Sequence, residues 1–273
     1  MDDGKAIMNL TSPSQVKGWC IGNGFHPNKT LGQNFLIDRN AMLAIVDLGL
    51  DGAGRRDGMR ILEIGPGLGV LTEEMLSRGC KVTAIEKDPV LAARLRECLQ
   101  VPGFTLIEGD ALAKGMLDGE YDAVVSNLPY QAGTRILLEL VQKRTAARIT
   151  VLVQTEVAER LAAKEGSKTR SLAGVWAQLD YDVAMARKVS QGCFWPRPEV
   201  GSSVVVLTRH DRNVAVSEEE RAFFRRLTKR AFEHRRKQLG SIFRDLIHST
   251  ARAEELSVQN WLEITKGLVN ENT

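Results

Sequence analysis

The feature that most constrains the fold is a regular alternation of short apolar runs with longer amphipathic ones between residues 60 and 208. Seven runs have the length and composition of strands: 60–64, 81–85, 104–107, 121–126, 148–154, 182–189 and 202–208. Helical patterns separate the first five: 71–78, 89–99 and 134–143 are the clearest. This alternation is typical of a parallel sheet with helices on both faces. We therefore predict an α/β fold with a seven-stranded, mostly parallel sheet.

The pattern changes after Thr208, where only helical periodicity remains. Residues 210–215 form a polar connector, and Ser217–Glu220 has the form of a capping box that opens a helix. Two apolar stripes at helical spacing follow, the first beginning at Phe223 and the second at Leu239. We predict a small, all-helical C-terminal domain at 209–273, a main domain at 29–208 and a mobile leader at 1–28.

Composition limits the classes of protein that fit. Hydrophobic residues make up 43% and charged residues 26% of the 273 residues, which is ordinary for a globular protein. The first residues lack the basic and apolar parts of a signal peptide, and no apolar run approaches the ~18 residues that span a bilayer. We expect a monomeric, cytoplasmic protein without a membrane segment. The four cysteines and four histidines have no ligand spacing, so no metal site is predicted.

The first strand runs into a glycine loop, Gly65-Pro-Gly67-Leu-Gly69, and then into a helix. Glycines allow a sharp turn and the close approach of a ligand to the backbone. Glu86 ends the second strand, where a carboxylate can accept both hydroxyls of a ribose. A dinucleotide site has the loop pattern G-x-G-x-x-G, which this chain does not have. Without further signals, a turn that binds no ligand stays an alternative.

Two further acids favour S-adenosylmethionine (SAM) over a dinucleotide. Glu63 precedes the loop, where its carboxylate can hold the loop or a water near the ammonium group of SAM. Asp110, beside Ala111 after the third strand, can accept the adenine amino group, and Lys87 adjoins Glu86. Three acids at the ends of three successive strands predict one site for adenosine and an amine. The chain is therefore predicted to have the Rossmann-like fold of a class I SAM-dependent methyltransferase.

The fourth strand ends in Asn127-Leu128-Pro129-Tyr130, at the edge where open α/β sheets place their chemistry. The exocyclic amine of adenine is a poor nucleophile because its lone pair is delocalised into the ring. The Asn127 side-chain oxygen and the Leu128 carbonyl can hold that amine, while Tyr130 offers a stacking face. Catalysis would then come from positioning and electrostatics, without a covalent enzyme intermediate. The alternative is a strand-ending Asn-Pro turn with a core tyrosine.

In order along the chain, these motifs resemble the rRNA adenine N6-dimethyltransferase family, particularly its small-subunit branch. The resemblance rests on the segment 29–36, the glycine loop, Glu86, 109–111, 127–130 and Phe194-Trp-Pro-Arg-Pro198. It implies SAM contacts by Gln33, Asn34 and Leu36, together with Gly65, Glu86, Asp110 and Asn127, and we expect Gly67 of the same loop to contact SAM as well. It also implies that Phe194 stacks on the target adenine opposite Tyr130. The implied reaction transfers four methyl groups to two adjacent adenosines in the 3′-terminal hairpin of 16S rRNA, during late assembly of the small subunit.

The chain departs from the family pattern in a few places. Glu199 stands where the family usually has lysine, and 167–172 lacks the usual Tyr-Gly. A substitution of lysine by glutamate weakens a local contact with the RNA backbone. Residues 1–20 match nothing in the family pattern.

The positive charge of the chain is concentrated near its C-terminus. The net charge is +3, but nine Lys/Arg and one acid lie between Arg221 and Arg244, a local charge of +8. A solvated helix face normally carries acids to pair with its basic residues, so this cluster favours binding to RNA phosphates. We predict RNA contacts by Arg197, Arg235, Arg236 and Lys237, the last three on a helical stretch.

Two other functions compete with this interpretation. One is the related enzyme that methylates a single adenine of 23S rRNA and shares the Gln-Asn-Phe and Asn-x-Pro-Tyr signatures. The glycine loop and the Phe-x-Pro-x-Pro run favour the small-subunit enzyme. The other is a non-catalytic RNA-binding factor on the same fold, which would have no use for the acids of a SAM site.

Overall fold

The computed structural model describes residues 8–28, 32–52, 54 and 56–270, with the backbone alone at Asp245 and Asn270. The chain divides into two compact units. The larger unit holds the described residues up to Thr155 together with Met185–Val206, and the C-terminal unit holds Glu156–Ala184 and the described residues from Leu207 onward. The C-terminal unit thus includes residues 156–184, which lie inside the domain predicted at 29–208. The limits of the two domains stay predictions.

The strands are β1 (Phe35–Leu36), β2 (Arg60–Ile64), β3 (Lys81–Glu86), β4 (Phe104–Glu108), β5 (Tyr121–Asn127), β6 (Ala146–Gln154), β7 (Tyr181–Val189), β8 (Phe194–Trp195) and β9 (Ser202–Arg209). The α-helices are α1 (Pro13–Gly22), α2 (Arg39–Gly49), α3 (Val70–Ser77), α4 (Pro89–Cys98), α5 (Gly133–Lys143), α6 (Thr155–Ala162), α7 (Leu172–Gln178), α8 (Glu218–Glu233), α9 (Leu239–Phe243) and α10 (Val258–Asn270).

Seven strands form one sheet in the order β4-β3-β2-β5-β6-β9-β7. The pairs β2–β3, β3–β4, β2–β5 and β5–β6 are parallel. The prediction of a seven-stranded, mostly parallel sheet is confirmed. The strand order reverses between β2 and β5, so their carboxyl ends flank the crevice in which open α/β sheets bind ligands. Ser126 strengthens this junction, because its Oγ accepts the Ile64 N–H at 2.8 Å.

Local capping explains where helices α4 and α8 begin. The Asp88 carboxylate accepts the N–H groups of Val90 and Leu91, and Pro89 occupies the first turn of α4. Proline suits this position because its fixed φ is helical and its missing N–H would have no partner there. At α8 the Ser217 and Glu220 side chains form the reciprocal capping box that the sequence predicts.

Residues 8–28, here called the N-terminal segment, are a packed part of the larger unit. Helix α1 begins with Pro13 and buries Val16 and Cys20, one turn apart. Both side chains belong to an apolar cluster with residues of the main fold, including Phe35 and Leu91. The sequence predicts only a leader in this region. Residues 1–7 and 29–31 lie outside the described part of the chain.

The C-terminal unit has an apolar core of its own. Phe224, Leu227 and Ala231 of α8 pack with α9, α10 and Val175 of α7. From Glu218 onward the described chain contains only helices, turns and irregular backbone, as predicted. Among the described residues, no helix is long and apolar enough to cross a membrane.

Candidate active site

A cavity of about 320 Å³ opens at the carboxyl ends of the central strands. Its wall contains every residue that the sequence predicts to hold SAM: Gln33, Asn34, Leu36, Glu63, Gly65, Gly67, Glu86, Lys87, Asp110, Ala111 and Asn127. Leu128 and Tyr130 line it as well. Parallel strands end at a common edge, which explains how segments far apart in the chain meet here. The volume is in the range of small-molecule sites, which begin at about 300 Å³.

The Glu86 carboxylate is held in one orientation by the backbone. Its Oε2 accepts the Gly67 N–H at 3.0 Å and its Oε1 accepts the Asp88 N–H at 2.9 Å. Gly67 has a φ of +61°, and a Cβ there would lie 3.2 Å from the Phe35 ring, so this position requires glycine. Burial raises the pKa of Glu86 above its usual range, although the two N–H groups oppose the rise. Each oxygen keeps a further lone pair for a ligand.

Glu63 lies deeper, with a side chain that is almost inaccessible to solvent. Its Oε2 accepts a 2.6 Å hydrogen bond from the Thr72 hydroxyl of α3. Burial raises the pKa of Glu63 to about 8, and the nearby charge of Glu86 adds to the rise against the opposing Thr72 bond. The group is therefore mostly protonated at neutral pH in the protein without a bound cation.

This raised pKa predicts a pH-dependent stability. A carboxyl that ionises less readily in the folded state stabilises the protein below its unfolded pKa, near 4.5, and loses that contribution as pH rises toward 8. The Glu63→Gln variant keeps an oxygen for Thr72 but has nothing to ionise. We expect the Tm of the parent protein to fall relative to the variant between pH 5 and pH 8. Parallel Tm curves for the two proteins across that range would contradict the assignment.

Asp110 and Lys87 form an ion pair at the rim of the cavity. Lys87 Nζ lies 2.9 Å from Asp110 Oδ2, and Asp110 Oδ1 accepts the Leu112 N–H at 2.9 Å. The Lys87 hydrogen bond holds the pKa of Asp110 below its usual range, so this group stays ionised. The pair is partly exposed, which leaves Asp110 accessible to a ligand amino group.

The Gln33 side chain forms hydrogen bonds with two other residues, Asp88 and Asn28. Gln33 Nε2 donates to Asp88 Oδ2 at 2.9 Å, and its Oε1 accepts the Asn28 N–H at 2.7 Å. Both ends of this amide therefore have protein partners, and it links the N-terminal segment to the residue that caps α4. At Gly32 a Cβ would lie 2.8 Å from the Tyr130 nitrogen, so the chain passes this turn only with glycine there.

The motif at the end of β5 is held by a hydrogen bond from its own amide. Asn127 Nδ2 donates to the Asn34 carbonyl at 3.0 Å. The amide plane is then fixed, and its Oδ1 is left as an acceptor. The Pro129 carbonyl accepts the N–H groups of Ala132 and Gly133, which turns the chain from the motif into α5. The motif is a rigid connection between β5 and α5.

Tyr130 is anchored at its hydroxyl. Its Oη lies 2.5 Å from the Ser202 Oγ at the start of β9, and burial raises the pKa of the phenol. The hydroxyl therefore stays neutral, and the ring is held by a buried partner. Such an arrangement leaves the ring as a fixed apolar face beside Asn127.

Comparison with known proteins decides the family. The family model described as ribosomal RNA adenine dimethylase matches residues 24–269. The chain belongs to this family. A relative named ribosomal RNA small subunit methyltransferase A from Deinococcus radiodurans is 40% identical over 246 residues, covering 88% of this chain and 80% of the relative. The protein of that name from an Arthrobacter species is 38% identical, covering 92% and 86%. The resemblance found in the motifs is confirmed.

Solved structures of similar proteins agree on the fold. A dimethyladenosine transferase from Plasmodium falciparum superposes with a TM-score of 0.73 at 20% identity, covering 85% of this chain and 96% of the other. The 23S rRNA methyltransferase ErmE superposes with a TM-score of 0.65 at 23% identity, covering 86% and 100%. These likenesses confirm the Rossmann-like methyltransferase fold.

Phe194, which the family resemblance places opposite Tyr130, is buried in this structure. It pairs with Leu36 in the two-stranded β1–β8 ribbon and is only 3% exposed. Its ring packs in the core cluster that includes Ile45 and Leu71 and is not part of the cavity wall. Stacking of Phe194 on an adenine stays a prediction. Arg197, close to it in sequence, is exposed, and its guanidinium donates to Gln191 Oε1 at 3.0 Å.

The basic cluster differs from the prediction in two ways. Arg235, Arg236 and Lys237 lie in the turn after α8, which ends at Glu233, so their placement on a helical stretch was wrong. Arg221 is buried, and its Nη1 contacts both Asp180 oxygens at 2.7–2.8 Å, so its charge is neutralised inside the unit.

The cations of the turn are not equivalent. Arg235 Nη2 donates to the Lys168 carbonyl at 2.6 Å, and its Nε lies 3.4 Å from Glu254. Arg236 and Lys237 are exposed. These two residues are the better candidates for contacts with a polyanion.

Several residues that line the cavity carry no signal in the sequence. Leu68 lies in the glycine loop and Leu91 in α4, but an apolar side chain has no chemical feature that marks it as part of a binding site. Leu10 comes from the N-terminal segment, where no motif pointed to the cavity. Among the described residues, no group of three or more His, Cys, Asp or Glu is placed to hold a metal ion.

Proposed function

We propose that this chain dimethylates N6 of two adjacent adenosines in the 3′-terminal hairpin of 16S rRNA, with SAM as methyl donor. The observation that carries the proposal is the convergence of Glu86, Asp110 and Asn127 around one cavity at the carboxyl ends of neighbouring strands. The name that the relatives share supports a small-subunit target. We further propose that the protein acts as a cytoplasmic monomer on the immature small subunit.

The residues of the cavity suit the chemistry of SAM. The two oriented oxygens of Glu86 fit the two hydroxyls of a ribose, and Asp110 fits an exocyclic amino group. The glycine loop lets the ligand approach the backbone, and the apolar walls suit a purine. Glu63 provides a buried carboxyl near the loop, and an ammonium group nearby favours its ionised form. Glu86 and Asp110 would hold the adenosine part and Glu63 the amino acid end.

The chain's own residues would hold the reacting amine in position. In the first transfer, Asn127 Oδ1 and the Leu128 carbonyl would accept the two N–H bonds of the amine, which favours a more tetrahedral nitrogen with an available lone pair. In the second transfer, the monomethylated amine would donate its one remaining N–H to one of these two acceptors. The Tyr130 ring supports the base, and the Ser202 contact keeps the ring in place. The bound donor supplies an electrophilic methyl group carried on a sulfonium. Transfer of that methyl group would form a C–N bond as the C–S bond breaks, and the amine held by Asn127 and Leu128 would then release a proton to solvent.

Most of the acceleration in this scheme comes from positioning and from fixed dipoles. The Nδ2–Asn34 hydrogen bond means that Asn127 need not reorient when the amine arrives. No group with a matched pKa is required as a base, because the proton leaves after methyl transfer.

The exposed cations after α8 are proposed to bind RNA phosphates. The double variant Arg236→Gln, Lys237→Gln should weaken binding to small subunits and flatten the slope of log K against log salt by up to ~0.7–0.9 for each phosphate interaction removed. Lys81→Gln, at the amino end of β3 away from the cavity, is the control for removal of an exposed charge. Binding measured across a salt series tests this. An unchanged slope and affinity would make the cluster a solvated surface.

Mapping the modified bases tests the proposed target. Primer extension should be carried out on rRNA from cells in which this protein is the one source of the modification. It should stop at two adjacent adenosines near the 3′ end of 16S rRNA. A stop in 23S rRNA instead would show that the chain has the activity of the related 23S rRNA methyltransferases. No stop in either RNA would leave the proposal without a substrate and would reject it.

A further inference from the structure

The N-terminal segment has a defined fold before it reaches the cavity. Asn9 N–H donates to Gln15 Oε1 at 2.7 Å, and Thr11 N–H donates to Asn9 Oδ1 at 3.0 Å. These bonds close a turn around Leu10 immediately ahead of α1. The backbone on both sides of Leu10 is therefore held by residues close to it in sequence.

Aromatic contacts attach α1 to the main fold. The Phe25 ring lies between those of Trp19 and Phe35, with centroid distances of 5.7 and 6.1 Å. The Arg94 guanidinium of α4 lies over the Trp19 ring at 5.3 Å, a distance at which a cation–π contact is favourable. The segment is thus docked on the helix that follows Glu86 and on the strand that contains Phe35.

Leu10 reaches the wall of the cavity from this segment. It is 4% exposed and packs in one apolar cluster with Leu68 of the glycine loop and Leu91 of α4, which also line the cavity. Leu68 follows Gly67, whose N–H holds Glu86, and Leu91 is one turn after Asp88. Leu10 therefore packs with residues next to those that hold Glu86, at the end of β3, whereas Asn127 lies at the end of β5.

Hydrogen bonds also connect the N-terminal segment to the part of the cavity around Glu86. Gln33 joins the Asn28 N–H, at the end of the segment, to the Asp88 carboxylate. Asp88 in turn donates its N–H to Glu86. The segment is therefore coupled to the ribose-binding carboxylate by hydrogen bonds as well as by apolar packing.

We infer that Leu10 is a binding residue for the adenosine part of the methyl donor, held in place by the docked N-terminal segment. This inference rests on the proposed function, since it takes SAM as the occupant of the cavity. An apolar side chain is suited to a purine or ribose face because its burial removes apolar surface from water. The donor and its demethylated product both carry the adenosine, so Leu10 should hold both of them.

The test compares two substitutions on the same segment. Leu10→Ala should raise the Kd for SAM and for S-adenosylhomocysteine about tenfold, since buried apolar carbons are removed from the contact. Most of the change should appear in the dissociation rate, as is usual for altered contacts. Ile21→Ala is the matched control, because Ile21 is 70% exposed on α1 and does not line the cavity. Calorimetry and stopped-flow fluorescence give the two quantities.

Two further variants distinguish the loss of a contact with SAM from a general loss of folding. Leu10→Met keeps an apolar side chain of similar volume and should retain the Kd of the parent. Trp19→Ala removes the docking ring without touching the cavity and should also raise the Kd for SAM. The affinity of Leu10→Met and Trp19→Ala for the small subunit should equal that of the parent. If Leu10→Ala and Trp19→Ala bind SAM as tightly as the parent, the inference is wrong while the proposed function stands. If the parent itself binds no SAM, both are overturned.

Discussion

Replacing Asn127 by alanine is expected to lower turnover at least about 100-fold, the scale found when one fixed dipole is removed from a reacting centre. The change deletes the Oδ1 acceptor proposed to hold the target amine. It also deletes the Nδ2 bond to the Asn34 carbonyl, so a smaller loss of SAM affinity should accompany it. Single-turnover methylation of undermethylated small subunits, at saturating SAM, measures the chemical step apart from binding.

Asn40→Ala is the matched control for this variant, because Asn40 is an exposed asparagine on α2. It should methylate at the parent's rate. The Asn127→Ala protein should still bind the small subunit, since the basic turn after α8 is unaltered. A near-normal single-turnover rate for Asn127→Ala would remove Asn127 from the mechanism.

Replacing Glu86 by alanine is expected to weaken SAM binding by roughly 1–3 kcal/mol, because ribose hydroxyls lose their acceptors. This corresponds to about 5- to 150-fold in Kd. The variant also leaves the Gly67 and Asp88 N–H groups without the carboxylate that fixes the glycine loop. Calorimetric titration with SAM measures the loss directly.

Glu120→Ala removes an exposed carboxylate from the same unit and should not change the Kd. Adenosine competition gives a second readout for Glu86, because the ribose contact is shared by donor and nucleoside. Parent-like affinity for both ligands in Glu86→Ala would place the ribose elsewhere in the cavity.

Much of this fold could be predicted because its signals are local. The runs at 60–64 and 121–126 differ from the intervening helices in length and period, and Asp88-Pro89 marks the start of a helix by its own chemistry. The meeting of Glu86, Asp110 and Asn127 also followed from sequence, since parallel strands end at one edge. These inferences needed no knowledge of distant contacts.

The unpredicted features depend on contacts between residues far apart in the chain. Strands β1 and β8 have two residues each, too short for any period to show. Arg221 looked like part of a basic surface because its partner, Asp180, lies on a different segment. Leu10 carries no chemical signature, so only packing reveals that it reaches the cavity. The turn at Arg235–Lys237 was missed because α8 ends without a glycine or proline at Glu233.

The most direct test of the central claim is methyl transfer from radiolabelled SAM to small subunits isolated without this modification. The parent protein should add two methyl groups to each of two adjacent adenosines near the 3′ end of 16S rRNA, and Asn127→Ala should add almost none in the same time. Failure of the parent protein to label these subunits, or label confined to 23S rRNA, would contradict the account.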